Sequence, residues 1–280
     1  MCRVVFVVGL VTWLAYRLSD IGWLEVWISR PQTPWFYVTW LGLYLQLPVI
    51  ESLIFQAAWK LPPSMSLLPL LHKRTLNQDV LSGMGEAWFF IWARQRVTLP
   101  DREIAGTLKD NLMLLSLAAW LSIVLLVVLA EPILWTRLIA DTDLRVMVLA
   151  GVAIVLFVAL AVRFRHTLLT LTPRADVALF ALHLGRFVLL VYVLQIVQWW
   201  VVLPEAPFSL WATILAMIMV VNRIPFIPAR DLVGVGAVLA VMALPARYEA
   251  TIVAMLLVRT VLDRIFNAAA VVARLMLRRR

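Results

Sequence analysis

Arg186, Arg259 and Arg264 stand inside long apolar stretches, with His183 three residues before the first and Asp263 between the other two. An arginine near the middle of a bilayer costs about 2.5–3.5 kcal/mol on insertion scales, so a chain that keeps three must aim them at a partner or a wet cavity. His183 and Arg186 share one helix face, and so do Arg259 and Asp263, four apart. The second spacing predicts an Arg259–Asp263 pair along one helix, which leaves Arg186 and Arg264 without an obvious carboxylate. Guanidinium groups gathered at such a cavity suit an anionic headgroup, because Arg holds phosphate through paired hydrogen bonds. The alternative is structural: Arg186 meets Asp231 or Glu86, and Arg264 reaches the inner surface along its own stem.

Two interrupted segments accompany these charges. Residues 222–236 place Pro225, Pro228, Arg230 and Asp231 between apolar runs. Proline lacks the amide hydrogen and disfavours helix in the residue before it, so this stretch reads as a broken helix. Irregular backbone at membrane depth survives only where protein or water satisfies it, and such breaks often line substrate sites. An ordinary cytosolic turn is the other reading. Earlier, Leu81–Val97 contains the short apolar core Ala87–Ala93, entered through Gly83, Gly85 and Glu86 and left through Arg94 and Arg96. Too short to span, it reads either as a re-entrant segment or as an interfacial helix lying on the surface.

Composition fixes the setting. Of 280 residues, 64% are hydrophobic and only 15% charged, and mean hydropathy is +0.94. That is an all-α polytopic membrane protein in a single integral domain, 1–280. The formal charge of +9 does not make it a nucleic-acid binder, because the basic residues sit between apolar runs and form no basic domain. Cys2 is the only cysteine, and His72, His166 and His183 show no ligand spacing, so no metal site is expected. No glycine-rich nucleotide loop is present either, so no cofactor is expected and ATP is not consumed by this chain.

Eight spans are expected, at about 4–16, 35–58, 111–130, 144–162, 177–201, 208–224, 231–244 and 249–272. Val4–Tyr16 follows Arg3 without a small-x-small cleavage site, which favours a retained span over a signal peptide. Residues 17–34 mix charge with tryptophan and suit the interface. Glu51, near the far end of the second span, reads as interfacial. Residues 60–109 form a basic cytoplasmic loop carrying the short helix described above. With both termini cytoplasmic, seventeen Lys and Arg fall inside and five outside, and the alternation holds at every loop. The location expected is the inner, cell membrane of a bacterium.

The order of these elements resembles a known family. A span ending near Asp20, a second running to Trp59-Lys60, the Gly83-Met84-Gly85-Glu86 segment, Pro225-Phe226-Ile227-Pro228-Ala229-Arg230-Asp231, and a late helix bearing Arg259 look like the flippase-like transmembrane domain of lysylphosphatidylglycerol synthases. The likeness covers nearly the whole chain. It departs at Ala229, where that family usually carries glycine, and at Asp231, where it carries Glu.

What the resemblance implies is movement of an anionic phospholipid, or of a polyprenyl-phosphate carrier, between leaflets, with two re-entrant segments facing each other. Gly85 and Glu86 would belong to the first segment, Pro228, Arg230 and Asp231 to the second, and Arg259 to the cavity wall. Arg186, Arg259 and Arg264 would supply positive potential, and Glu86 and Asp231 would keep the arginines apart in the empty groove. The synthases carry their transferase chemistry in a soluble domain that follows the spans, so that activity is expected of a partner if it is present. Two other classes stand beside this reading. A membrane transferase would need an acid–base set, and Asp101, Glu103, Asp110 and His72 show no catalytic spacing. A membrane anchor or subunit for a lipid-linked glycosyl- or aminoacyl-transferase would use the basic loop against anionic lipid.

Overall fold

A computed structural model of the chain describes residues 22–80, 83–128, 165–223, 230–241 and 246–278, with isolated positions before residue 22 and at 163. All regular structure among them is helical. A short helix, α1 (Trp23–Ile28), leads to α2 (Pro34–Trp59); α3 (Pro63–Thr75) runs on into a π-helical turn at Leu76–Val80. Then come α4 (Met84–Arg94), α5 (Asp101–Val128) and α6 (Pro173–Trp200), the last interrupted by a π-helical stretch at Arg186–Tyr192. Helices α7 (Phe208–Arg223), α8 (Arg230–Val241) and α9 (Ala246–Arg278) complete the described chain.

Local chemistry sets the ends. Pro34, Pro63 and Pro173 each open a helix, where the missing amide hydrogen is no loss and φ is already helical. Lys60 closes α2 in the left-handed region at φ 55, and Gly83 opens α4 at φ 90. In α1, Trp23, Leu24, Trp27 and Ile28 are exposed and the Arg30 guanidinium lies over the Trp27 ring, a composition suited to a membrane surface.

Among the described residues three helices are long and apolar enough to cross a membrane, Pro34–Trp59, Asp101–Leu126 and Pro173–Trp200, and Phe208–Asn222 is apolar but shorter. At 1.5 Å per residue the 26 residues of α2 reach about 39 Å, past the ~30 Å hydrocarbon thickness. The protein is thus a helical membrane protein. The expected segments 35–58, 111–130, 177–201 and 208–224 overlie α2, α5, α6 and α7. Those at 4–16 and 144–162 lie outside the described residues, as does the Pro225–Pro228 break. The expected segment 231–244 overlies α8, a helix of 12 residues, and 249–272 lies within α9. Arg259, Asp263 and Arg264 keep α9 out of the apolar set.

Residues 60–109 differ most from a loop carrying one short helix. They hold α3, its π-helical turn, α4 and the first residues of α5, and α3 packs against α2, α4 and α9. An aromatic cluster fixes this end: Phe55 stacks on Trp59 at 4.4 Å, Phe89 on Trp92 at 5.2 Å, and Phe55 meets Phe89 at 5.1 Å. Gly85 brings α4 onto α3, since a Cβ there would stand 2.1 Å from the Lys73 carbonyl oxygen. The larger core lies among α5–α9, around Trp199, Trp211, Ile214, Ile252 and Met255.

Candidate functional site: a charged cavity between helices

A cavity of about 340 Å³ opens between α2, α3, α7, α8 and α9. Its apolar wall is Leu43, Leu47, Ile218, Val235 and Leu256. Among the described residues the polar wall carries the guanidiniums of Arg74 and Arg259, the carboxylate of Asp263, and the neutral groups of Gln46, Asn77, Gln78, Asn222 and Thr260. The π-helical turn after α3 supplies Asn77 and Gln78, so an irregular stretch of helix meets the cavity.

Each charged group is held from several sides. Arg74 lies over the Tyr44 ring at 4.0 Å, donates to the Tyr44 carbonyl and to Gln78, and stands 3.7 Å from Asp263. Asp263 also accepts from the indole of Trp40 at 3.0 Å and from Gln78 at 3.3 Å. Arg259 donates to Gln195 of α6. Behind the cavity, Tyr44 donates to Asn267 at 2.9 Å, and Asn267 donates to Asp79 at 3.0 Å.

The sequence-derived residues divide. Arg259 and Asp263 line the cavity. Arg186 does not, but it donates to the lining residue Gln46 at 2.5 Å. Arg264 was expected to lack a carboxylate and instead pairs with Asp79, which the turn after α3 swings against α9. Arg74, from the supposed cytoplasmic loop, is the cation beside Asp263 that Arg259 was expected to be. Arg230 and Asp231 open α8, and their side chains, like Pro228, are outside the described residues.

Glu86, Gly85 and His183 belong to a second, buried network beside the cavity. Lys73 stands 2.6 Å from Glu51 and 3.5 Å from Glu86. Asn111 donates to Glu51 at 3.2 Å and meets His183 Nε2 at 2.9 Å. Glu86 accepts from Asn77 at 3.0 Å, and Asn77 in turn accepts from the Gly85 amide at 2.8 Å. Glu86 thus holds Lys73 and Asn77, not the arginines, and Asn77 is the link between this network and the cavity wall. Burial alone would push the Lys73 ammonium down, but the charges and hydrogen bonds of Glu51 and Glu86 outweigh it and leave the group above its usual range.

Sequence reading missed Arg74, Lys73, Glu51 and the Asn77–Gln78 pair. The available signal was the proximity of Lys73-Arg74 to the apolar stretch Leu67–Leu71, which a solvated loop has no reason to carry.

Chemically, the polar wall can hold an anionic group by charge and by directed hydrogen bonds, opposite the apolar side chains of Leu43, Leu47, Ile218, Val235 and Leu256. Among the described residues no cluster of His, Cys, Asp and Glu is placed to hold a metal ion. The chain matches no family model, and neither the curated proteins nor the solved structures contain a significant match to it.

Proposed function

We propose that this protein is a membrane lipid translocase that moves an anionic lipid, a phospholipid or a polyprenyl phosphate, between leaflets. The observation that carries the reading is the cavity wall, where among the described residues Arg74 and Arg259 stand with the carboxylate of Asp263, facing Leu43, Leu47, Ile218 and Val235. A charged phosphate pays heavily to enter hydrocarbon alone, and a groove that offers guanidiniums to the head and apolar side chains to the tail lowers that cost. The resemblance of the order of sequence elements to the flippase-like transmembrane domain of lysylphosphatidylglycerol synthases points the same way. In this reading the chain crosses the cell membrane eight times with both termini cytoplasmic, and α4 and the 222–236 segment are its two re-entrant pieces. The resemblance assigns Arg230 and Asp231 to the second of them.

The test is transfer of a fluorescent anionic phospholipid between leaflets of vesicles containing the purified protein. Wild type should accelerate transfer over empty vesicles, and Arg259→Ala should abolish the acceleration while eluting as the same folded species. Vesicles whose transfer rate ignores the protein would overturn the reading. Full activity in Arg259→Ala would remove that side chain from the path.

A further inference from the structure

Arg74 reaches the cavity with donors to spare. A guanidinium has five N–H bonds; the one on Nε goes to Gln78 at 3.3 Å and one on Nη1 goes to the Tyr44 carbonyl. Nη2 stands 3.7 Å from Asp263 Oδ2, close enough for charge attraction and too far for a hydrogen bond. Five less two leaves three N–H bonds of this lining residue with no acceptor in reach among the described residues. The side chain is only 17% exposed, so a group brought into the cavity is what can complete its bonding.

Asp263 stops short of completing it for a structural reason. Its Oδ1 accepts from the Trp40 indole at 3.0 Å and its Oδ2 from Gln78 Nε2 at 3.3 Å. Gln78 therefore touches both ions, its Oε1 on Arg74 and its Nε2 on Asp263. A pair left to itself closes to about 2.7–2.9 Å, often through two parallel bonds. Trp40 and Gln78 hold the carboxylate back, and the pair stays open. In that position Asp263 offsets the charge of Arg74 without occupying its remaining N–H bonds.

A lipid phosphate offers the acceptor oxygens that those bonds lack. Once there, it and Asp263 are like charges beside one guanidinium, and each weakens the hold of the other. Asp263 cannot swing clear, because its side chain is 7% exposed and fixed by Trp40 and Gln78. We infer that Asp263 is a built-in competitor for the headgroup phosphate on Arg74, set by Gln78 at a distance that admits the phosphate and then promotes its release. A transported group must be held firmly enough to enter and weakly enough to leave, and the carboxylate serves the second need. The release step rests on the translocase reading; the competition is a property of binding and is read separately.

The experiment pairs native mass spectrometry of the detergent-purified full chain, offered phosphatidylglycerol, with transfer of fluorescent phosphatidylglycerol in vesicles. Asp263→Asn keeps the shape and an acceptor for Trp40 but removes the competing charge, so it should retain about tenfold more lipid than wild type and transfer it more slowly. Gln78→Met changes no charge and removes the spacer, so the Arg74–Asp263 pair should close and retention should fall below wild type. The second variant decides the matter if the first does not fold. Retention at or below the wild-type level in a folded Asp263→Asn overturns the inference, as does wild-type retention in Gln78→Met. Tighter retention with transfer as fast as wild type overturns the release step. If wild type moves no lipid, the translocase reading falls, and the opposite shifts in retention still establish or overturn the competition.

Discussion

Lys73 places its ammonium 2.6 Å from the Glu51 carboxylate, with neither side chain more than 5% exposed. The Lys73 side chain comes from a stretch that composition marks as polar loop, and Glu51 from a helix long enough to cross a bilayer. Together they tie α3 into the interior beside the cavity. An ion pair removed from water is maintained only when its remaining valences are met, and Asn111 and Glu86 meet them here.

Breaking that pair should show which partner matters more. Lys73→Met leaves Glu51 and Glu86 buried together without a cation, whereas Glu51→Gln leaves Lys73 its second carboxylate, Glu86. Lys73→Met should therefore lose about 3–5 kcal/mol of stability and Glu51→Gln clearly less. Thermal unfolding in detergent, followed by tryptophan fluorescence, orders the two. Equal losses would show that Glu86 contributes nothing to Lys73.

Gly85 should tolerate no side chain. The Cβ of Gly85→Ala would stand 2.1 Å from the backbone oxygen of Lys73 and 2.7 Å from the Asn77 side chain, and backbone cannot swing aside. The variant should lose about 1–3 kcal/mol and loosen Asn77 from the cavity wall. Gly185→Ala meets nothing within 4 Å on a helical backbone and should gain about 0.5–1 kcal/mol. Opposite shifts in unfolding midpoint for the two variants are the expected result.

His72 supplies a pH dependence. Burial, and then the positive charge of Arg274, push its imidazole from the usual 6.5 down to about 4. Its ring meets Trp88 edge-on at 4.6 Å, and Arg274 lies over the same indole. Between pH 4 and 6.5 the unfolded chain binds more protons at this site than the folded one, so stability rises with pH across that window. The contribution is complete above about pH 6.5, is lost as pH falls towards 4, and changes no further below that. With the ring only partly buried, about 1–2 kcal/mol is a fair discounted size. The difference in unfolding midpoint between wild type and His72→Gln should narrow over that window. A constant difference would remove His72 as its source.

Helix placement was legible where the sequence is apolar. The segments 35–58, 177–201 and 208–224 differ from α2, α6 and α7 by at most four residues at any end, because a long apolar run flanked by Pro, Trp or charge has few other solutions. On α9, Arg259 and Asp263 were also legible, since charge inside an apolar helix must have a use. The α3 segment was not. Its two internal-facing cations are explained only by partners far along the chain, Glu51 for Lys73, and Tyr44 and Asp263 for Arg74, and such pairings leave no local pattern. Arg264 failed for the same reason, since Asp79 is 185 positions away.

Arg74 joins Tyr44 of α2, Gln78 of the turn after α3 and Asp263 of α9 at the cavity, and its geometry separates charge from shape. The planar guanidinium stacks on Tyr44 while reaching the Tyr44 carbonyl, Gln78 and Asp263 at once. A lysine keeps the charge but has one compact ammonium on a flexible stem, which cannot stack and span three acceptors together. Arg74→Lys should therefore fold, with a loss of about 1–3 kcal/mol, yet retain less phosphatidylglycerol in native mass spectrometry than wild type. Arg74→Gln removes the charge as well, leaving Asp263 buried against Trp40 and Gln78 alone, and should lose both stability and lipid. If Arg74→Lys holds lipid as wild type does, the wall acts through net charge alone and the directed hydrogen bonds of Arg74 are dispensable.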